Sequence, residues 1–147
     1  CGLCPYPCRQ HSRGTVDIWA PDPRTPPLID HDYLADHRDL ARFADAWEAN
    51  RALLATAPLR AAGAAWLEPD LDLEAHLLNN LAPAHHQSGT CRIHPDPREG
   101  VVDPTLRVHG IDGLLVADTS VFPDTVMHNT NLTAYLVGEV VGGRSLA

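Results

Sequence analysis

Residues 85–139 read HHQSGTCRIHPDPREGVVDPTLRVHGIDGLLVADTSVFPDTVMHNTNLTAYLVGE, and this stretch decides the fold. It opens on a histidine pair, His85-His86, followed by the short residues Ser88-Gly89-Thr90. From His94 to Gly113, Pro95, Pro97, Gly100, Pro104 and Gly110 recur so closely that the passage reads as turns. Gly113-Leu114-Leu115-Val116-Ala117 then has the look of a buried strand ending at Asp118. His128-Asn129-Thr130-Asn131 opens a helix expected from about Asn129 to Val141. Leu132, Tyr135, Leu136, Val137, Val140 and Val141 make that helix apolar on nearly every side. Such a helix is expected to be buried, with another chain as one candidate surface. Gly142-Gly143 are expected to stop it.

Upstream, Thr15-Val16-Asp17-Ile18-Trp19 alternates polar and apolar residues, the pattern of a half-buried strand. Pro21-Asp22-Pro23-Arg24-Thr25-Pro26-Pro27 can be neither helix nor central strand and reads as a stiff loop leading into Leu28-Ile29-Asp30. A helix follows, with Asp36 as N-cap and Asp39 in its first turn. Leu40, Phe43, Ala44, Trp47 and Leu54 fall on one face of it, and Pro58 limits its extent. A shorter helix begins near Asp70 or Asp72, turns Leu73, Leu77 and Leu81 inward and ends near Asn79-Asn80 and Pro83.

With 147 residues, 44% of them hydrophobic and 20% charged, the chain has the composition of an ordinary globular domain. A formal net charge of −8, with every basic residue an arginine and none clustered, argues against a nucleic-acid surface. No apolar run approaches the roughly 20 residues of a membrane helix, and no charged start precedes an apolar stretch as in a signal peptide. A cytoplasmic location is the expectation. Cys1, Cys4 and Cys8 are spaced so that zinc or an iron–sulfur centre is conceivable, but no fourth ligand is near and reduced thiols are the plainer reading. The set His85, His86, Cys91 and His94 has zinc-compatible types, yet no metal site is expected.

Six elements in order resemble the C-terminal region of the GMC (glucose–methanol–choline) flavin oxidoreductases. They are Ser12-Arg13-Gly14-Thr15-Val16, Asp22-Pro23-Arg24 through Asp30, His86-Gln87-Ser88-Gly89-Thr90-Cys91-Arg92, Val102-Asp103-Pro104 with Leu106-Arg107-Val108-His109-Gly110, Asp118 through Pro123, and Asn129-Thr130-Asn131. Gln87, Ile93-His94 and Thr119 depart from the commoner family residues, which leaves the substrate open. The resemblance implies an α+β fold. Residues 1–85 would form part of a substrate-binding domain with an antiparallel sheet and helices. Residues 86–147 would form an active-site segment whose closing strand and helix join an FAD-binding α/β domain. That domain's G-x-G-x-x-G loop, which brings backbone N–H groups to the pyrophosphate, is absent from these residues. A larger partner chain carrying it is therefore expected, making this the smaller part of a divided enzyme.

By type alone, His86 reads as a surface or core histidine and Asn129 as a helix N-cap. The resemblance gives them the catalytic positions of an alcohol oxidase or dehydrogenase. His86 would accept the hydroxyl proton of a small alcohol substrate, and the Asn129 amide would hold the developing alkoxide. Asp118, Thr119, Asn131, Leu132 and Thr133 match positions beside FAD, while His85 and His128 would face the substrate pocket. Two alternatives remain: a hydroxynitrile-lyase-like relative whose flavin is not turned over, and a non-catalytic scaffold subunit of a flavoprotein.

Overall fold

A computed structural model describes residues 3–66 and 72–145. The chain divides into two compact units, Cys1–Ala82 and Pro83–Ala147. The elements are of the α+β class, with one two-stranded antiparallel sheet among the described residues.

In the first unit, β1 (Thr15–Asp17) pairs with β2 (Leu28–Asp30), placing Thr15 opposite Asp30 and Val16 opposite Ile29. The proline-rich loop between them is fixed by Asp22, whose carboxylate accepts from the Arg24 backbone and guanidinium at 2.9–3.0 Å. Gly14 precedes β1 where a methyl group would overlap the Asp30 carbonyl, so only glycine lets the strands close there. The half-buried strand expected at 15–19 is shorter and exposed, with Val16 47% accessible in β1 and Ile18 88% and Trp19 68% accessible beyond it. A ribbon of two three-residue strands is too small to bury a face of its own.

Helix α1 (His37–Leu54) starts where Asp36 accepts the Arg38 N–H. Phe43 is buried on its inner face and Leu40, Ala44, Trp47 and Leu54 are half-buried. Trp47 meets Trp66 edge-on at 5.0 Å and the His76 ring at 5.7 Å. Pro58 limits α1 as expected, the helix ending at Leu54, the residue whose carbonyl the proline ring would meet in a continued helix. It lies in the first turn of a separate short helix, α2 (Ala57–Ala61), where its missing N–H is not needed. Helix α3 (Leu73–Asn80) is capped by Asp72, which accepts the Ala75 N–H at 3.1 Å, and buries Leu77. The alternative start at Asp70 lies outside the described residues.

Asp39 has a larger role than first-turn charge. It is 4% accessible and ties the N-terminal segment to α1. Its carboxylate accepts from the His11 N–H (2.8 Å), the Ser12 N–H (2.8 Å) and the Ser12 hydroxyl (2.6 Å). The Ser12 oxygen in turn accepts the Asp36 N–H at 3.1 Å.

The second unit has little regular structure before its last helix. Val102, Leu106, Val121 and Phe122 form its core, with Ile93, Val108, Val116, Val126, Val137 and Val141 packed around them. The turn-rich passage from His94 to Gly113 thus supplies two of the four central residues. The expected buried strand at 113–117 is an extended segment making one antiparallel bridge, Arg107 to Leu115. Hydrogen bonds from Val108 to Leu114 (3.0 Å) and from Val116 to Leu106 (3.1 Å) flank that bridge. Successive residues of an extended chain point to opposite sides. Val116 reaches the core, and Leu115 stays 36% accessible.

The last helix, α4, spans Asn131–Ser145 rather than 129–141. Glycine ends a helix by adopting positive φ, and neither Gly142 nor Gly143 does, so α4 continues through them. Val137 and Val141 pack on the core, while Leu132, Tyr135 and Leu136 are 75%, 71% and 61% accessible. The all-round burial expected from its composition is therefore not met within this chain.

Burial alone would raise the Asp39 carboxyl, but the donors on Ser12 and His11 outweigh it and hold the group below the ordinary carboxylate value. Its stabilising contribution is complete above the unfolded value of about 4 and is lost as pH falls through the lower folded value. Asp39→Ala should cost about 2–3 kcal/mol at neutral pH, and the difference from wild type should shrink on acidification. Thermal melts of both proteins from neutral to acid pH check this.

Candidate active site

The segment leading from His86 is held by a short backbone ladder. Gly89, Cys91 and Ile93 donate their N–H groups to the carbonyls of Thr119 (3.4 Å), Ser120 (2.9 Å) and Val121 (2.9 Å). Residues Thr119–Val121 form a single 3-10 turn, started by Asp118, whose carboxylate accepts the Ser120 N–H at 2.8 Å. Gly89 adopts φ +90°, and His85 sits in the left-handed region at φ 59°. That backbone costs a residue with a side chain about 1–2 kcal/mol, and it sets the direction in which His86 leaves the chain.

His86 lies against the residues just before α4. Its Nε2 is 3.0 Å from Asn129 Oδ1, and its Nδ1 is 3.3 Å from Thr130 Oγ1. Since an amide oxygen only accepts, Nε2–H donates to Asn129 in this arrangement and the Thr130 hydroxyl donates to Nδ1. Thr130 is 8% accessible, and its carbonyl accepts the Ala134 N–H at 2.9 Å, the first turn of α4. Asn129 is thus not the helix cap expected from the sequence; Thr130 stands at that boundary. The imidazole can exchange a proton at Nε2, and the amide beside it can donate to an anionic oxygen.

The other residues singled out from the sequence fall in several places. His85 and His128 are both exposed, and His128 Nδ1 donates to the Asn129 carbonyl at 2.7 Å. The Asp118 side chain is engaged with its own turn, and Thr119 is half-buried. Asn131 and Leu132 are exposed in the first turn of α4, with Thr133 half-buried beside them. Thr130 was missed. Its only signal was a hydroxyl residue directly before an apolar helix.

The chemistry of this donor set suits a group that carries or develops negative charge. The first N–H groups of a helix have no partners within it, and the dipole there is positive. In α4 this end lies beside His86 and Asn129, with the exposed Leu132 offering apolar contact.

His94 and His109 serve the fold: His94 Nδ1 accepts the Asp96 N–H at 3.0 Å, and His109 Nε2 donates to the His94 carbonyl at 2.9 Å. The Arg98 guanidinium holds the Asp96 carboxyl below its usual value, and the Thr105 hydroxyl does the same for Asp103. Among the described residues, no three His, Cys, Asp or Glu side chains converge as metal ligands. Cys1 lies outside the described residues; the Cys4 and Cys8 sulfurs rest 3.8 and 3.6 Å from the carbonyls of Pro5 and Tyr6. No described helix is long and apolar enough to cross a membrane.

Comparison with known proteins places the pattern of GMC oxidoreductases over residues 10–138. An oxygen-dependent choline dehydrogenase of Rhizobium etli (strain CIAT 652) is 33% identical over 135 residues, covering 87% of this chain and 25% of that protein. The crystal structure of pyridoxine 4-oxidase from Mesorbium loti superposes with a TM-score of 0.83 at 30% identity, covering 93% of this chain and 28% of its own. A fungal aryl-alcohol oxidase gives a TM-score of 0.80 at 30% identity, covering 92% and 24%. The chain spans about a quarter of the length of the curated relatives it matches.

Gly89→Ala places a side chain at φ +90° and 3.4 Å from the Phe122 carbonyl, straining the ladder that carries His86. A loss of about 1–2 kcal/mol in thermal or denaturant unfolding is expected.

Proposed function

This chain belongs to the GMC oxidoreductase family, and on that premise we propose that it carries the catalytic pair of an FAD-dependent alcohol oxidase or dehydrogenase. The observation that carries the reading is the 3.0 Å approach of His86 Nε2 to the Asn129 amide, across 43 positions of sequence. His86 takes the proton of the substrate hydroxyl at Nε2, which makes the alcohol carbon a better hydride donor. The Asn129 amide turns its NH2 group toward the alkoxide oxygen and fixes the carbon in place. The chemistry that FAD would supply here is that of a hydride acceptor for that carbon. Asp118, Thr119, Asn131, Leu132 and Thr133 would hold the cofactor, and the positive end of α4 would favour negative charge on it. His85 and His128 border the substrate.

The G-x-G-x-x-G FAD-binding part is contributed by a larger partner outside these residues. The exposed Leu132, Tyr135 and Leu136 of α4, with Leu114 and Leu115, form the surface that meets it. Their accessibility supports this reading, because large exposed apolar patches mark interaction surfaces. Choline, pyridoxine and aryl alcohols in the relatives' names share an oxidisable alcohol carbon, and that chemistry rather than one substrate is what carries over.

In the FAD-loaded protein containing this chain, His86→Ala should lower kcat about 10²- to 10⁴-fold and Asn129→Ala about a hundredfold, with FAD content retained. Steady-state assays with a panel of primary alcohols read this out. Near-wild-type turnover of His86→Ala would assign the chain a scaffolding role instead.

A further inference from the structure

We propose that Thr130 is the positioning residue of His86, governing which ring nitrogen carries the proton; this rests on the reading of His86 as the base. Thr130 is buried at the boundary of α4, where its carbonyl accepts the Ala134 N–H, and its hydroxyl lies 3.3 Å from Nδ1. A neutral imidazole serves as base at Nε2 only when its single proton sits on Nδ1. That proton needs an acceptor, and Thr130 Oγ1 is within reach of it.

Hydroxyl and amide can both reverse roles. In one arrangement the Thr130 hydroxyl donates to Nδ1, and Nε2–H donates to Asn129 Oδ1. In the other, Nδ1–H donates to Thr130 Oγ1, and the rotated Asn129 amide offers its NH2 to the Nε2 side, where the lone pair faces the substrate. The substrate's hydroxyl proton then moves to Nε2. The Nδ1 proton stays where it is, held by Thr130, and the ring becomes a cation with both N–H groups satisfied. Without the hydroxyl, the resting ring loses its donor at Nδ1 and the cation loses its acceptor, a deficit on the side of the half-buried ring that faces buried Thr130. The methyl group of Thr130 has no part in this exchange.

Three variants of the FAD-loaded protein test the assignment, with ¹⁵N-labelled histidine and steady-state kinetics as separate readouts. Thr130→Val keeps the shape and removes the hydroxyl; Thr130→Ser keeps the hydroxyl and removes the methyl; His86→Gln identifies the His86 ring signals. Thr130→Val should move the His86 ring ¹⁵N signals and lower kcat about ten- to a hundredfold, with KM within about twofold. Thr130→Ser should restore both. Ring signals unchanged in Thr130→Val, or a Thr130→Ser variant as impaired as Thr130→Val, would overturn the assignment. Ring signals that move while kcat stays unchanged would retain the hydrogen bond but overturn its positioning role, whereas near-wild-type turnover of His86→Gln would overturn the underlying reading of His86 as the base instead.

Discussion

The ladder between residues 89–93 and the 3-10 turn at Thr119–Val121 is the constraint on which the candidate site depends. Three N–H groups, on Gly89, Cys91 and Ile93, reach three successive carbonyls. They fix the register of the His86 segment against the chain entering α4. Shifting that register by one residue would reverse the sides to which neighbouring residues point. His86 would then no longer face Asn129 and Thr130. Asp118 secures one side by starting the turn, and Val121 at its end and Phe122 directly after it anchor the same segment in the core. Backbone bonding and apolar packing therefore converge on one short run of residues. The site inherits its geometry from them.

The same unit divides its last helix between two tasks. Val137 and Val141 secure α4 to the core, which places its N-terminus beside His86. Leu132, Tyr135 and Leu136 face away, with more than half of each accessible. A side chain of that kind gains about 1.5–3 kcal/mol when removed from water, so together they represent a substantial drive toward association. This fits a unit matched to about a quarter of the length of its relatives. In the first unit, the ribbon of β1 and β2 exposes Val16, Leu28 and Ile29 in the same way, and Ile18 and Trp19 directly after β1 are exposed too.

How much was legible in the sequence varied by element. Helices α1 and α3 announced themselves through Asp36 and Asp72, side chains that cap locally and need no distant partner. The pairing of His86 with Asn129 came from ordered motifs resembling a family, since nothing local links residues so far apart. Thr130 was missed because its role depends on a hydrogen bond across that same gap. Asp39 looked like ordinary first-turn charge, and its contact with Ser12 spans 27 positions. The apolar runs at 113–117 and 132–141 suggest burial because hydrophobicity reports a tendency to leave water, not the surface that provides the opportunity. Gly142-Gly143 looked like a stop signal, yet glycine merely permits the left-handed turn.

Anaerobic mixing of the FAD-loaded protein with primary alcohols, followed through the visible flavin spectrum, tests most directly whether this site removes hydride from an alcohol carbon. The expected result is loss of the oxidised flavin bands with stoichiometric aldehyde, slowed about two- to sevenfold when the alcohol carbon carries deuterium, as expected when that C–H bond breaks in the rate-limiting step. A flavin that stays oxidised while the protein interconverts a cyanohydrin and its carbonyl compound would contradict it, leaving His86 as an acid–base group in a reaction without redox change.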